Sequence, residues 1–381
     1  MAPTRGDAVA LARALIKIDS RNPTLAPDSP GEGPCASLLA DVLREWGFVV
    51  QLFDNAGRPN VVASIGPENA PALMLNGHLD VVGVQGMAHS PFSAELRDGR
   101  IYGRGSADMK GGLAAMCAAA ARGAGDRPSR RILVTAVADE EYESLGTLAL
   151  LDAGIRAEAA IVGEPTRLAI CTAHRGFAWF DVTVRGRAAH GSRYDLGIDA
   201  ISNAALLLAE LDMLEQTRDK RLQHPLLGRA SLHASTIHGG SGISTYPELC
   251  VLSIERRTLP GESSDLALRE ILDACTRVRA RRPDFDAEVT LTNAQLPSDV
   301  PVDSPIVQMV AGGLRAEGMK TDIEGLSAWT DAALLNAAGI PTICFGPGDI
   351  SLAHAAEEFV PVAEIEQATR VLTHVVRDWC T

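Results

Sequence analysis

Apolar and polar positions recur along this chain with two different periods, and the change of period marks its parts. From Asp7 to Ile18, and again from Pro34 to Trp46, apolar residues return every three to four positions, with Gly47 as a stop. That spacing predicts two amphipathic helices. Short apolar runs then alternate with helical stretches. Asn60–Ser64, Leu73–Leu75, Arg131–Ala138 and Ala159–Val162 read as buried strands, whereas the small-residue stretch Met109–Ala121 and Leu145–Asp152 read as helices. Buried strands separated by helices predict a mostly parallel sheet covered by those helices.

After Arg175 the period becomes two. Ala178–Arg185 alternates apolar and polar residues, as a strand with one solvated face does. A helix is predicted over Ile198–Leu214, strands over Ser231–Ile237 and Leu249–Arg257, a helix over Ser263–Ala280 and a strand over Ala287–Thr292. The order β-α-β-β-α-β is that of a ferredoxin-like sandwich. Helix and strand signals resume at Ile306–Ala316, Asp331–Ala338, Thr342–Phe345 and Ile365–Trp379. The expected fold class is therefore α/β, with one domain formed by residues 1–175 and 295–381 and an α+β domain at 176–294 inserted into it.

Composition narrows the function classes. A chain of 381 residues favours two domains, and 46 % hydrophobic with 22 % charged residues supports a core without staples. The formal net charge of −13 argues against a nucleic-acid surface, which needs clustered Lys and Arg. Seven cysteines (Cys35, Cys117, Cys171, Cys250, Cys275, Cys344 and Cys380) are scattered and never spaced C-x-x-C, which excludes a disulfide framework or a cysteine zinc site. Met1–Ser20 has neither the apolar run nor the cleavage site of a signal peptide. No stretch approaches the ~18 apolar residues of a membrane helix. A cytoplasmic protein with no nucleic-acid or membrane partner is expected.

Five places combine carboxylates or imidazoles with strand ends, where α/β proteins place their sites. Gly77-His78-Leu79-Asp80 follows a predicted strand, and residues two apart in extended backbone face the same way, so His78 and Asp80 can project together. Taken alone, that histidine also fits a hydrogen-bonded structural role. Gly103-Arg104-Gly105-Ser106-Ala107-Asp108-Met109-Lys110-Gly111-Gly112 lacks the G-K-[ST] of a P-loop and the spacing of a dinucleotide fold; in isolation Asp108 reads as a helix cap. Asp139-Glu140-Glu141 closes a strand with three carboxylates, which repel unless cations or solvent compensate them. Gly163-Glu164-Pro165-Thr166 follows another strand, and Ala353-His354-Ala355-Ala356-Glu357-Glu358 follows a glycine-rich turn. Mixed His and carboxylate ligands suit Zn²⁺, Co²⁺ or Mn²⁺, and one carboxylate can bridge two ions. Adjacent Glu140 and Glu141 could divide the roles of base and ligand.

The ordered set G-H-L-D, G-R-G-S-A-D-M-K-G-G, D-E-E, G-E-P-T and H-A-A-E-E-F resembles the M20 metallopeptidase family from Leu11 to Val371. That family includes acetylornithine deacetylases, succinyl-diaminopimelate desuccinylases, aminoacylases and glutamate carboxypeptidases. The resemblance implies a catalytic α/β domain carrying an inserted lid that dimerises. It implies two Zn²⁺ per subunit, with Co²⁺ or Mn²⁺ as substitutes. His78, Asp108 and Glu164 would hold one ion; Asp108, Glu141 and His354 would hold the second. Asp80 would fix the His78 imidazole, and Glu140 would be the general base acting on a metal-bridging hydroxide. In the insertion, Arg187-Ala188-Ala189-His190-Gly191-Ser192 resembles the family's lid motif, which makes His190 an oxyanion donor supplied by the partner subunit. Ile237-His238-Gly239-Gly240 and Glu255-Arg256-Arg257-Thr258-Leu259-Pro260-Gly261 resemble the segments that recognise the substrate carboxylate, with Gly240 and Arg257 at the aligned positions. For Arg257 a salt bridge on the strand surface is the other reading.

Two departures bear on the substrate. Ser244 stands where relatives often have Asn, and Trp329 in Ala328-Trp329-Thr330-Asp331 replaces a small residue, narrowing or capping the pocket. The expected activity is hydrolysis of an acyl–nitrogen bond in an N-acyl amino acid, acetylornithine deacetylase-like, by a zinc-dependent homodimer. A carboxypeptidase or dipeptidase acting on a short peptide is the alternative on the same scaffold. Glu164, rather than Asp, fits the deacylase and carboxypeptidase branches without separating them. A non-catalytic binding protein should lack a ligand or the base, and all are present.

Overall fold

The computed structural model describes residues 3–55, 57–218 and 223–381; residues 1 and 2 of the N-terminal stretch lie outside the described residues. The chain forms two units. Met1–Thr172, Val300–Glu324 and Thr330–Thr381 make the first, and Ala173–Asp299 with Gly325–Trp329 the second.

In the first unit the sheet runs, in spatial order, Val49–Asn55, Arg58–Ile65, Arg131–Val137, Ala72–His78, Ala159–Val162, Thr342–Cys344 and Ile170–His174, the last passing into the second unit. It is a mixed sheet. Only the four strands from Arg131–Val137 to Thr342–Cys344 pair in parallel; the hairpin Val49–Ile65 and the strand Ile170–His174 join antiparallel. The expectation of a mostly parallel sheet thus holds for its centre alone. Apolar runs report burial on both faces, not strand direction, and the antiparallel Arg58–Ile65 is buried over Asn60–Ser64 as its parallel neighbours are. Its partner Val49–Asn55 escapes a periodicity reading because Gln51, Asp54 and Asn55 interrupt the apolar pattern.

Helix Gly111–Gly123 is buried along nearly its whole length and packs on Ala8–Ile16 and Val362–Cys380. Its alanines permit the close approach. At its start the fit is tighter still, since a Cβ on Gly112 would overlap the carbonyl oxygen of Gly163. Glycine here lets the helix press against the strand end that carries Glu164. The helix begins two residues later than the small-residue pattern predicts, because Ser106–Lys110 form a π turn in which Asp108 is extended (φ −119°, ψ 95°). The Asp108–Met109 peptide is cis. Asp108 therefore does not cap the helix; Lys110 occupies that position. Asp7, by contrast, caps Ala8–Ile16, its carboxylate accepting from the Ala10 N–H at 2.9 Å.

The second unit is an antiparallel sheet in the order Ser231–Gly239, Leu249–Thr258, Gly176–Arg185, Asp286–Gln295. Helices Ala200–Gln216 and Ser264–Arg281 cover one face, which is the ferredoxin-like arrangement. Period two sorts the faces. Cys250, Leu252 and Ile254 pack with Phe180, Val182, Leu207 and Ile271 beneath the helices. The alternate positions, Trp179, Glu255 and Arg257 among them, face away. Arg256 points inward and is fully buried, held by Glu262 at 2.8 Å and Glu270 at 3.0 Å. All seven cysteines are buried free thiols. Among the described residues, no helix is long and apolar enough to cross a membrane.

Candidate functional site

The three central parallel strands end side by side, and the chain loads each end with a ligand-type residue. Ala72–His78 ends on His78, Asp139-Glu140-Glu141 follow Arg131–Val137, and Glu164 follows Ala159–Val162 after one glycine. The π turn adds Asp108. His354, in left-handed backbone (φ 60°), comes from the loop after Ile350–Leu352. All seven belong to the first unit.

Asp108 stands between the two imidazoles. Its Oδ1 is 3.0 Å from His78 Nε2, and its Oδ2 is 3.6 Å from His354 Nε2. His354 Nε2 also lies 3.0 Å from Glu141 Oε2. One ligand atom each from His78, Asp108 and Glu141 lies within 4.8 Å of the others. Glu164 is buried and hydrogen-bonded to the Asp108 side chain. Glu140 is more remote, its Oε2 at 3.9 Å from His78 Nε2.

A surrounding set of contacts holds these groups. His78 Nδ1 is 2.9 Å from the main-chain carbonyl of Asp80 and 3.7 Å from its carboxylate. A carbonyl only accepts, so Nδ1 carries the proton and a neutral ring offers Nε2 as its lone pair. The Asp80 carboxylate accepts instead from the backbone N–H groups of Glu140 (3.2 Å) and Glu141 (3.1 Å). Asn22, brought in by the bridge Arg21–Val81, donates to both Asp80 (2.8 Å) and Asp139 (2.9 Å). Arg58 pairs with Asp139 at 2.9 Å and with Glu32. On the other side Glu358 accepts from the N–H groups of Ala107 (3.0 Å) and Asp108 (3.3 Å) and from Arg104 (2.7 Å). Asp331 accepts from Thr147 at 2.6 Å, and its Oδ1 has no hydrogen-bond partner among the described residues.

Electrostatics test whether cations fit. Burial pushes Glu140 and Glu164 well above the usual carboxylate range, and neighbouring carboxylates push them further. Burial also raises Glu141, and raises Asp331 to about 6. Burial pulls the His78 imidazole down, but its hydrogen bond to Asp108 and the charges of Glu140, Asp108 and Asp80 overcome this and hold it well above its ordinary value. His354 is raised to about 9, first by its hydrogen bond to Glu141. Protons are thus drawn into a site where buried carboxylates outnumber imidazoles. A pair of divalent cations suits this donor set better, because it neutralises the same charge without protonating ligands. The residues fit the metals that the sequence implies.

The remaining candidates lie in the second unit. His190 is exposed, paired with Thr245 in an isolated bridge, and its Nδ1 is 2.8 Å from Ser192 Oγ. Ser244 and Gly240 are exposed. Trp329 donates to the Leu296 carbonyl at 3.1 Å and packs edge-on against Phe177 and His174. Arg257 is ion-paired with Glu255 at 3.0 Å. The motifs give no sign of Asn22 or Arg58, which sit far from them in sequence, nor of Thr147, which follows the Asp139-Glu140-Glu141 motif but lies outside it. Arg104 and Glu358 do lie within motifs, and the only available signal was a charged residue inside an otherwise small or apolar stretch.

Comparison with known proteins finds relatives over most of the chain. A family model described as peptidase family M20/M25/M40 matches residues 74–378. An acetylornithine deacetylase of Myxococcus xanthus is 30 % identical over 341 residues, covering 87 % of both chains. Among solved structures, a tripeptidase of Staphylococcus aureus superposes with a TM-score of 0.82 at 19 % identity, covering 99 % of each chain. A dinuclear metal-binding peptidase of Bacillus subtilis superposes with a TM-score of 0.75 at 14 % identity, covering 98 % of this chain and 97 % of its own. At those identities the two structures speak for the fold alone.

Proposed function

The chain belongs to peptidase family M20/M25/M40, and from that premise we propose that it is a di-metal amidohydrolase cleaving the acyl–nitrogen bond of an N-acyl amino acid. The observation that carries this reading is Asp108, with one oxygen toward His78 and the other toward His354, in a ring of buried carboxylates. His78, Asp108 and Glu164 would hold one zinc ion, and Asp108, Glu141 and His354 the other; cobalt or manganese would substitute. Bound there, the two ions supply Lewis-acid polarisation of the amide carbonyl and hydroxide at neutral pH.

Glu140 is the proposed general base. It takes the proton of the attacking water and passes it to the leaving nitrogen, and a burial-raised pKa suits a group that must hold a proton between two transfers. Asp80 positions it, accepting from the two N–H groups of the Glu140-Glu141 turn while its carbonyl orients His78. Arg257, Ser244, Gly240 and Trp329 are proposed to line the substrate.

Deacylation is preferred to peptide cleavage because the relative at 30 % identity is an acetylornithine deacetylase, whereas the peptidase likenesses rest on fold. Purified protein supplied with Zn²⁺ or Co²⁺ should release amine from N-acetyl amino acids at least about tenfold faster than from matched dipeptides, the scale that a single well-made contact provides. Equal or faster dipeptide cleavage would move the assignment to a peptidase.

A homodimer through the second unit is also proposed, supported by its long exposed edge strand Ser231–Gly239, which carries the exposed Ile237. In it, His190 would serve the partner's site as an oxyanion donor. His190→Ala should then lower kcat about 10²–10³-fold with metal content and dimerisation unchanged. Mixing His190→Ala with Glu140→Gln should restore activity above either parent, because each heterodimer regains one complete site. No rescue despite confirmed subunit exchange would confine His190 to its own chain or to no role.

A further inference from the structure

Three of the five proposed ligands are placed by the first unit's sheet, and two are not. His78 is the last residue of its strand, and Glu141 and Glu164 follow their strands within a few residues, so the strand ladder holds all three. Asp108 and His354 lie outside the sheet. Asp108 is extended within the π turn Ser106–Lys110, and His354 stands in left-handed backbone in the loop after Ile350–Leu352. The 3.6 Å between Asp108 Oδ2 and His354 Nε2 is therefore set by contacts between those two segments.

Glu358 makes them. It follows His354 in the same loop and is fully buried. Its Oε1 accepts from the N–H groups of Ala107 at 3.0 Å and Asp108 at 3.3 Å, so it grips the peptide of the ligand itself. Its main-chain carbonyl accepts from the Gly103 N–H at 3.2 Å, and the next residue, Phe359, pairs with Tyr102. Arg104, also buried, closes the other side. Its Nη1 donates to Glu358 Oε2 at 2.7 Å and to the carbonyl of Ala355, beside His354, at 3.3 Å. Its Nε donates to the Gly83 carbonyl at 3.0 Å, which anchors the guanidinium to a third segment. A buried ion pair is weak evidence for stability, because desolvation offsets the Coulomb gain. What this one supplies is a fixed register between the segments it joins.

We propose that Arg104 and Glu358 are positioning residues for one of the two metal ions, the one assigned to Asp108, Glu141 and His354. They set the reach between Asp108 and His354 without being ligands. The ion assigned to His78, Asp108 and Glu164 depends on them less. Two of its three ligands stand at strand ends, and Asp108 Oδ1 keeps its own 3.0 Å contact with His78 Nε2. Partners that orient ligands commonly govern metal affinity as strongly as this. The inference rests on the two-metal reading.

The test is titration of the chelated full-length protein with Zn²⁺ by calorimetry, and with Co²⁺ by visible absorption. His354→Ala identifies which binding step belongs to the dependent ion. Glu358→Gln keeps the size of the side chain but turns an amide NH₂ group toward donors. It should weaken that step about 10–100-fold and leave the other nearly where it was. Arg104→Met should do the same, and Arg104→Lys, which keeps the charge without the planar fork, should recover part of the loss. Two steps weakened alike, neither weakened, or only the other weakened overturns the inference while the two-metal reading stands. If Glu358→Gln and Arg104→Met give no cooperative melt even with metal present, Arg104→Lys decides by the same comparison. Should it fail to fold as well, the pair is merely structural and the inference is overturned. Fewer than two ions taken up by the unsubstituted protein is a separate result: it overturns the two-metal reading, and this inference falls with it.

Discussion

Glu140→Gln should lower kcat by about 10²–10⁴-fold, the usual worth of a general base, in a protein that still folds and still binds two metal ions. The reason lies in which atoms each glutamate meets. Glu140 Oε2 stands 3.9 Å from His78 Nε2 and outside the close trio of His78, Asp108 and Glu141. Its backbone N–H, which Asp80 fixes, is untouched by the exchange. Glu141, the proposed ligand, lies 3.0 Å from His354 Nε2. Glu141→Gln should therefore lose one metal, and activity with it, until the ion is supplied in excess. Metal content by elemental analysis beside steady-state kinetics separates the two. Metal loss in Glu140→Gln with retention in Glu141→Gln would exchange their roles.

Removing the metals should abolish activity altogether, and returning Zn²⁺ or Co²⁺ should restore it. Chelation should also lower the melting temperature, since an ion bound only by the folded state stabilises it by mass action. The loss has a pH signature. Glu140, Glu141, Glu164, His78 and His354 are all raised in the folded protein, so each favours folding at low pH, where it is protonated, and loses that contribution as pH rises through its folded pKa. Asp108 alone is lowered. Asp331, raised from 3.8 to about 6, loses its contribution between those values, and His354, raised from 6.5 to about 9, loses its own over that higher range, so the chelated protein should melt progressively lower as pH rises through both windows. The metal-loaded protein should resist, because its ligands are already deprotonated and neutralised. Parallel pH profiles for the two forms, or full activity after exhaustive chelation, would sink the two-metal reading.

The proposed ligand residues were legible because each sits at an interruption of a strong local pattern. His78, Asp139 to Glu141 and Glu164 each break an apolar strand at its end, where burial stops and a polar side chain is tolerated only with a partner. The second unit was legible for a similar reason, since one buried and one open face write a period of two directly into the residues. Of the hairpin Val49–Ile65 only the second strand was, because polar residues interrupt Val49–Asn55 and strand direction leaves no mark on hydrophobicity. Nor was the π turn at Ser106–Lys110, whose small residues suit a helix equally well.

By itself, then, the order of residues determined the α/β class, the ferredoxin-like insertion and the chemical types gathered at the strand ends, all of which are local consequences of periodicity and burial. Tertiary structure alone decided what those groups do to one another. Asp80 turns its carbonyl to His78 and its carboxylate to the Glu140-Glu141 turn. Asn22 and Glu358 reach that site from distant segments. Arg257 meets Glu255, while Arg175 meets the Leu227 carbonyl. Charge balance depends on which side chains end within a few ångströms, and because Coulomb energies change steeply over that range, only the folded chain sets it.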